Sequence, residues 1–187
     1  MGDRFKELSS LAMKELTEVF NRMDDSNVRE LLELIKKTDR IFMLAAGREG
    51  LSTRSFAMRL MHLGKQSYWI WDDTTPSIQE GDLMICACGS ANVGHENYIA
   101  RMAKDNGATL ALITPSNEGY IIPISDMVVN VPAAAYKAVG DFVPTEQLMG
   151  NLFEQALFIL YDVLVMMLRE EMGISKEEMV SRHRNVE

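Results

Sequence analysis

The chain has 187 residues, a length typical of one domain that buries about 70% of the surface of its unfolded form. Apolar residues make up 47% and charged residues 25% of the sequence, which is ordinary for a globular protein and excludes extended disorder. Nineteen basic and twenty-seven acidic residues give a net charge of −8, which argues against nucleic acid and against anionic lipid as partners. We expect a single domain over residues 1–187.

Two amphipathic helices are predicted first, within residues 3–37. Apolar side chains recur at spacings of three and four over residues 5–20, and again over residues 28–35. The first ten residues, "MGDRFKELSS", are polar and contain no apolar run of the kind found in secretory signals. We therefore expect a cytoplasmic protein.

Five short apolar runs then predict five buried strands. They are "RIFMLAAG" (40–47), "QSYWIW" (66–71), "DLMICAC" (82–88), "ATLALIT" (108–114) and "DMVVNVP" (126–132). Helical patterns lie between them at residues 51–63 and 95–106, the second closed by Gly107. Strands that alternate with helices predict an α/β fold with a parallel sheet.

The C-terminal part, residues 149–187, is predicted to be a helical tail. Its first helix, to about residue 171, is apolar on all sides, so we expect it to be buried in the flank of the sheet or in a subunit interface. Its apolar stretch at residues 156–168 is too short to span a bilayer and contains Asp162, so no membrane association is expected. The preceding loop, residues 132–148, either covers a site or is a solvated connection.

Cysteine and histidine do not form a metal-binding pattern. The two cysteines, Cys86 and Cys88, are two residues apart on one predicted strand, where their side chains share a face but are poorly placed to bond to each other. Without further ligands at zinc spacing, buried reduced thiols are the better interpretation. We predict no metal.

Two glycine-rich turns follow predicted strands, "GREG" (47–50) and "GSANVG" (89–94). Ligands of open α/β sheets bind at the carboxyl ends of the strands, where such turns and helix N-termini meet. Neither turn matches a dinucleotide or Walker fingerprint, so we predict no cofactor.

Three segments together resemble a known family. "GREGLSTRSFAMRLMHLG" (47–64), "LMGNLFEQALFILYD" (148–162) and "EEMVSRHRNVE" (177–187) are similar, in order, to the sugar isomerase (SIS) domain family, and within it to the 6-phospho-3-hexuloisomerases. The resemblance implies a flavodoxin-like three-layer sandwich with a five-stranded parallel sheet flanked by helices. It also implies a homo-oligomer, dimer or tetramer, and metal-free isomerisation of a phosphorylated ketose.

The resemblance also assigns two catalytic residues. The glutamate of the family's "LFEQ" is Glu154 here, and the histidine of its tail motif is His183. Isomerisation through an enediol needs a base that moves a proton between neighbouring carbons and a second group for hydroxyl protons, which a carboxylate and an imidazole can supply. Whether His183 acts in its own subunit's site or in a neighbour's is left open.

The anion-binding turns depart from the family pattern. The family has serine where this chain has Glu49, so Glu49 must point away, pair with Arg48 or Arg54, or exclude phosphate. In the second turn Cys88 and Val93 replace hydroxyl-bearing residues. The candidate substrate-binding residues are Gly47, Arg48, Glu49, Gly89, Ser90, Asn92, His95 and Asn97.

Three functions are compatible with these changes. The first is an aldose–ketose isomerase whose altered anion pocket favours a 6-sulfo sugar of the sulfoquinovose type over a 6-phosphate. The second is an ordinary 6-phospho-3-hexuloisomerase, and the third is a non-catalytic module that binds sugar phosphate. Because both catalytic candidates are present while the anion turns are altered, the sequence favours the first.

Overall fold

The computed structural model describes residues 2–186, in which five strands and six α-helices are formed. The helices are Gly2–Arg22 (α1), Asp25–Lys37 (α2), Gly47–His62 (α3), Gly94–Asp105 (α4), Asn151–Glu171 (α5) and Lys176–Ser181 (α6), with a 3₁₀ turn at Ile122–Ile124. The strands are Arg40–Leu44 (β1), Gln66–Trp69 (β2), Leu83–Ala87 (β3), Thr109–Thr114 (β4) and Met127–Asn130 (β5). Each strand lies within a segment predicted from the sequence.

The five strands form one parallel sheet in the order β2-β1-β3-β4-β5. Met43 of β1 lies opposite Trp69 of β2 on one side and Ile85 of β3 on the other. The chain direction across the sheet reverses between β1 and β3, and at such a point the loops after the two strands diverge and leave a crevice. We call the space beyond the ends of β1 and β3 the strand-end crevice.

Apolar side chains fill both faces of the sheet. Ile41 and Met43 of β1 belong to a large cluster with residues of α1, α2, α3 and α5, whereas Phe42 and Leu44 belong to a smaller cluster that includes α4. This alternation is expected for a parallel strand covered on both sides. The predicted three-layer α/β sandwich is therefore confirmed.

The two cysteines are buried and unbonded, as predicted. Cys86 and Cys88 both point to the α4 side of the sheet, where they belong to the smaller apolar cluster. Burial raises the pKa of the Cys86 thiol well above its usual value and that of Cys88 to about 12, so both thiols are neutral at physiological pH.

Helix α3 begins earlier than predicted, and helix α5 is only partly buried within one chain. Helix α3 begins at Gly47 rather than near residue 51, so the "GREG" segment is the first turn of a helix and not a separate loop. Helix α5 is buried on one face only, because Phe158, Val163 and Met166 are 39–62% exposed. By length and composition α5 could cross a bilayer, but the core helices of many proteins have the same length and composition. Half of the most apolar part of α5 is buried inside the protein.

A buried polar contact fixes α5 against α3. The ring of Tyr161 stacks on Phe56 with centroids 4.5 Å apart, and its hydroxyl lies 3.1 Å from Thr53 Oγ1. Both hydroxyls are buried, so each depends on the other for its hydrogen bond. Since the site residues described below lie at the first turns of α3 and α5, this contact also fixes their relative position.

We expect Tyr161→Phe to lower the free energy of unfolding by about 1–2 kcal/mol, because it leaves the buried Thr53 hydroxyl without a partner. The double variant Thr53→Val/Tyr161→Phe should be destabilised by clearly less than the sum of the two single changes. Urea unfolding of the four proteins of this cycle measures the coupling. Strict additivity would show that the two hydroxyls do not depend on each other.

Candidate functional site

The strand-end crevice brings the two glycine-rich segments into contact. The first turn of α3 follows β1, and the turn at residues 88–93 follows β3, so both lie at the carboxyl edge of the sheet. Glu49 of the first segment reaches Gly89 of the second, where its Oε2 accepts a hydrogen bond of 3.0 Å from the Gly89 N–H. This contact defines the centre of the candidate site.

Gly89 has no room for a side chain. A Cβ at this position would lie 2.6 Å from Glu49 Oε1 and 2.7 Å from Ala135 Cβ of the loop that follows β5. The predicted loop at residues 132–148 therefore covers this part of the crevice. A buried carboxylate, Glu15 of α1, fixes the far end of the loop by accepting hydrogen bonds from Thr145 and Gln147.

Glu49 does not pair with either arginine considered from the sequence. The Arg48 guanidinium donates to Glu154, and that of Arg54 lies 3.4 Å from an oxygen of Asp72. Glu49 does not point away either. Its carboxyl accepts a hydrogen bond from the Gly89 N–H, the group that would otherwise donate to a bound anion.

Glu49 holds a proton at neutral pH. Burial raises the pKa of its carboxyl to about 8, the negative charges of Glu96 and Glu154 act in the same direction, and the hydrogen bond from Gly89 opposes them. The neutral carboxyl can accept from Gly89 with one oxygen and donate with the other.

Glu154 lies in the first turn of α5, at the edge of the crevice. Its Oε2 accepts a hydrogen bond of 2.5 Å from Arg48 Nε, and its side chain is only 17% exposed. The two residues share a cavity of about 450 Å³ with Leu51, Ser52, Gln155 and Phe158, which we call the Glu154 cavity. The site thus contains an oriented carboxylate beside a space large enough for a sugar.

A third carboxyl, Glu96 of α4, was not identified from the sequence. It is 1% exposed and hydrogen-bonds with the Cys88 thiol and the backbone of Ala46, while its Oε2 has no partner among residues 2–186. Burial raises its pKa. An acidic residue in the first turn of a helix that follows a site turn was the signal that could have identified it.

The remaining predicted binding residues lie in different surroundings. Ser90 uses its hydroxyl locally, accepting from Asn92 N at 3.3 Å, and Asn92 itself is exposed. Asn92 does not cap α4, whose N-cap is Val93. His95 lies next to Trp71, with ring centroids 5.7 Å apart, and the amide oxygen of Asn97 is buried and has no partner within the described chain.

His183 does not lie near Glu154 in the same chain. Its ring stacks on that of His62 with centroids 5.2 Å apart, at the end of α3, and the neighbouring Arg182 donates to the backbone oxygen of His62. Arg48, which holds Glu154, is at the other end of the same 16-residue helix. At 1.5 Å per residue the two ends are about 20 Å apart.

Across residues 2–186, no group of three or more histidine, cysteine, aspartate or glutamate side chains could hold a metal ion. The chemistry that the site can support with its own residues is proton transfer by carboxyl groups, with an arginine to orient a carboxylate or a substrate oxygen.

The fold and the carboxyl-lined strand-end crevice define a protein of the SIS type. No family model matches the chain. It is 34% identical to a 3-hexulose-6-phosphate isomerase of Mycobacterium gastri over 187 residues, 100% of this chain and 94% of that protein. A Bacillus subtilis protein of the same name is 35% identical over 158 residues, 84% of this chain and 85% of the relative.

A solved structure agrees with these relatives. A Methanococcus jannaschii protein, for which a 3-hexulose-6-phosphate isomerase function was inferred, superposes with a TM-score of 0.81 at 26% identity and covers 97% of this chain and 99% of its own. The chain belongs to the 3-hexulose-6-phosphate isomerase family of SIS-type sugar isomerases. The predicted family is confirmed.

We predict that Glu49 makes stability depend on pH. Its pKa is raised from 4.5 to about 8, so folding takes up a proton between these values, and the stabilising contribution present below about pH 4.5 is lost as pH rises through about 8. Glu49→Gln lacks this loss, so its free energy of unfolding should rise relative to that of the native protein by roughly 3–4 kcal/mol between pH 5 and pH 8, and its Tm should rise with it.

Thermal unfolding at several pH values measures this difference. Glu118→Gln, at an exposed position, serves as the control and should leave the profile unchanged. A Tm difference between Glu49→Gln and the native protein that stayed constant from pH 5 to 9 would show that Glu49 is ionised throughout that range.

Proposed function

We propose that this chain is a soluble, cytoplasmic aldose–ketose isomerase that acts through an enediol on a 6-substituted anionic hexose. The relatives named 3-hexulose-6-phosphate isomerase support the reaction class. The observation that carries the proposal is Glu154, a mostly buried carboxylate held by Arg48 beside a cavity of sugar size.

Glu154 is the base in this proposal. Its Oε2 is held by Arg48, so we assign to Oε1 the transfer of a proton between the two carbons that exchange the carbonyl group. Arg48 is 63% exposed and can also contact the substrate oxygen on which negative charge develops in the enediolate. Neither role requires a cofactor.

His183 can serve the same reaction only from another subunit. Because α3 separates it from Glu154 by about 20 Å within one chain, we propose a homo-oligomer, dimer or tetramer, in which His183 of one copy approaches Glu154 of the next. Apolar side chains exposed on α1 and α5, among them Phe5, Phe158 and Met166, are suited to such an interface.

The relatives' names favour a phosphate as the 6-substituent. The carboxyl groups of Glu49, Glu96 and Glu154 lie close enough to act on one another electrostatically, so the negative potential of the crevice favours a substituent of lower charge wherever it binds in the site. A sulfonate is a monoanion throughout the physiological range. We therefore propose a 6-sulfo hexose as the preferred substrate, with the 6-phospho sugar as the alternative.

We expect Glu154→Gln to reduce kcat by about 10²–10⁴-fold while sugar binding and Tm are kept, because the amide cannot accept the proton. Asp162→Asn, an exposed change of the same kind on the same helix, is the matched control and should keep full activity. Steady-state kinetics and a thermal-shift titration measure the two properties. Native protein that binds the sugar but never turns it over would favour the non-catalytic module.

Substrate preference is the second test. We expect kcat/KM for a 6-deoxy-6-sulfo ketohexose to exceed that for the matching 6-phosphate at pH 7.5 by about tenfold, because the monoanion is repelled less by the carboxyl-rich crevice. A neutral 6-deoxy ketohexose serves as the reference for the contribution of the anion. A clear preference for the phosphate would identify the chain as an ordinary member of its family.

A further inference from the structure

A second cavity lies beside the first two turns of α3. It measures about 290 Å³ and is lined by Gly47, Gly50 and Arg54 of α3, by Trp69 and Trp71 at the end of β2, and by His95 of α4. We call it the tryptophan pocket. We propose that the tryptophan pocket receives the anionic 6-substituent of the substrate, with Arg54 as its counter-ion. This inference rests on the isomerase function proposed above.

The crevice itself leaves little room for that substituent. The Gly89 N–H is occupied by Glu49 Oε2 at 3.0 Å, and Ala135 closes the other side of the glycine. Ser90 directs its hydroxyl to its own turn. An anion must therefore displace Glu49 or bind elsewhere.

The walls of the tryptophan pocket are rigid and apolar. Trp71 Nε1 donates to the backbone oxygen of Ala45 at 2.9 Å, which fixes the ring across the cavity, and Trp69 packs against Gly50. The indole of Trp71 is 45% exposed and thus offers a face to a ligand. Flat aromatic surfaces of this kind suit the apolar faces of a sugar ring and its exocyclic CH₂.

Arg54 supplies the positive charge of the tryptophan pocket. Arg54 is 63% exposed, and the ion pair that it forms with the half-exposed Asp72, at 3.4 Å, is a weak contact that an anion can replace. His95 also lines the pocket, and the positive end of the α3 dipole lies at Gly47, whereas the Gly50 N–H is already bonded to the Ala46 carbonyl. A guanidinium can bind two oxygens of a sulfonate or phosphate at once.

The pocket is adjacent to the proposed base. Leu51, which is 70% exposed, lines both the tryptophan pocket and the Glu154 cavity, so the two spaces are neighbours. A hexose with its reacting carbons beside Glu154 can extend its sixth carbon past Leu51 toward Arg54. The anion is then on the side of α3 away from Glu49.

Intrinsic fluorescence provides a direct test, because Trp69 and Trp71 are the two tryptophans of the sequence and both line this pocket. We titrate inorganic sulfate, and separately phosphate, into the full-length protein. The native protein should show a saturable change in tryptophan emission. Arg54→Gln should weaken binding by about tenfold or more, whereas Arg101→Gln, an exposed charge loss on α4, should not.

Glu49→Ser separates this site from the turn. If the anion binds in the tryptophan pocket, Glu49→Ser leaves the affinity within about twofold of the native value. If Glu49→Ser tightens binding strongly while Arg54→Gln changes nothing, the anion binds at Gly89 and the proposal is wrong. The absence of any emission change at millimolar anion would also overturn it.

Activity distinguishes this inference from the proposed function. In Arg54→Gln, kcat/KM for the anionic hexose should fall by about tenfold or more, mainly through KM, while the neutral 6-deoxy sugar is unaffected. Isomerase activity without any dependence on Arg54 would refute the pocket and keep the proposed function. Binding that depends on Arg54 in a protein that isomerises none of these sugars would keep the pocket and refute the function.

Discussion

The hydrogen bond from Gly89 to Glu49 is the contact on which the site depends. It joins the start of α3 to the turn after β3, across the point where the order of the strands reverses. At such a point an α/β sheet ordinarily offers N–H groups to a ligand, and here the chain supplies a carboxyl of its own. Gly89 has neither space for a side chain nor a free N–H, so the residues around it must determine which ligand binds.

Three carboxyl groups lie near this contact, and each is accommodated differently. Glu154, the proposed base, forms an ion pair with Arg48. Glu49 is neutral near pH 7 because burial raises its pKa to about 8. Burial also raises the pKa of Glu96, although a thiol and a backbone N–H oppose this shift. Burial thus acts against a build-up of negative charge in the crevice of a protein whose net charge is −8.

The sequence predicted the sheet well because buried parallel strands are apolar runs of a recognisable length, and all five agree with the structure. It did not predict the direction of Glu49, which depends on a partner 40 residues away and on Ala135. It also missed the tryptophan pocket, since "QSYWIW" was interpreted as strand throughout whereas β2 ends at Trp69. His183 and Glu154 are far apart because they contact opposite ends of α3, a helix that begins four residues earlier than predicted.

The residues that position the proposed base are separate from those around Gly89. Glu154 is positioned by Arg48 and by the buried contact of Tyr161 with Thr53, none of which touches Gly89. The turn after β3 and the end of β2 belong to other elements, so a substitution there can change the charge around the crevice without moving Glu154. A family fold that retains its glutamate but fills its anion turn with a carboxyl is therefore physically consistent with a working isomerase of altered specificity.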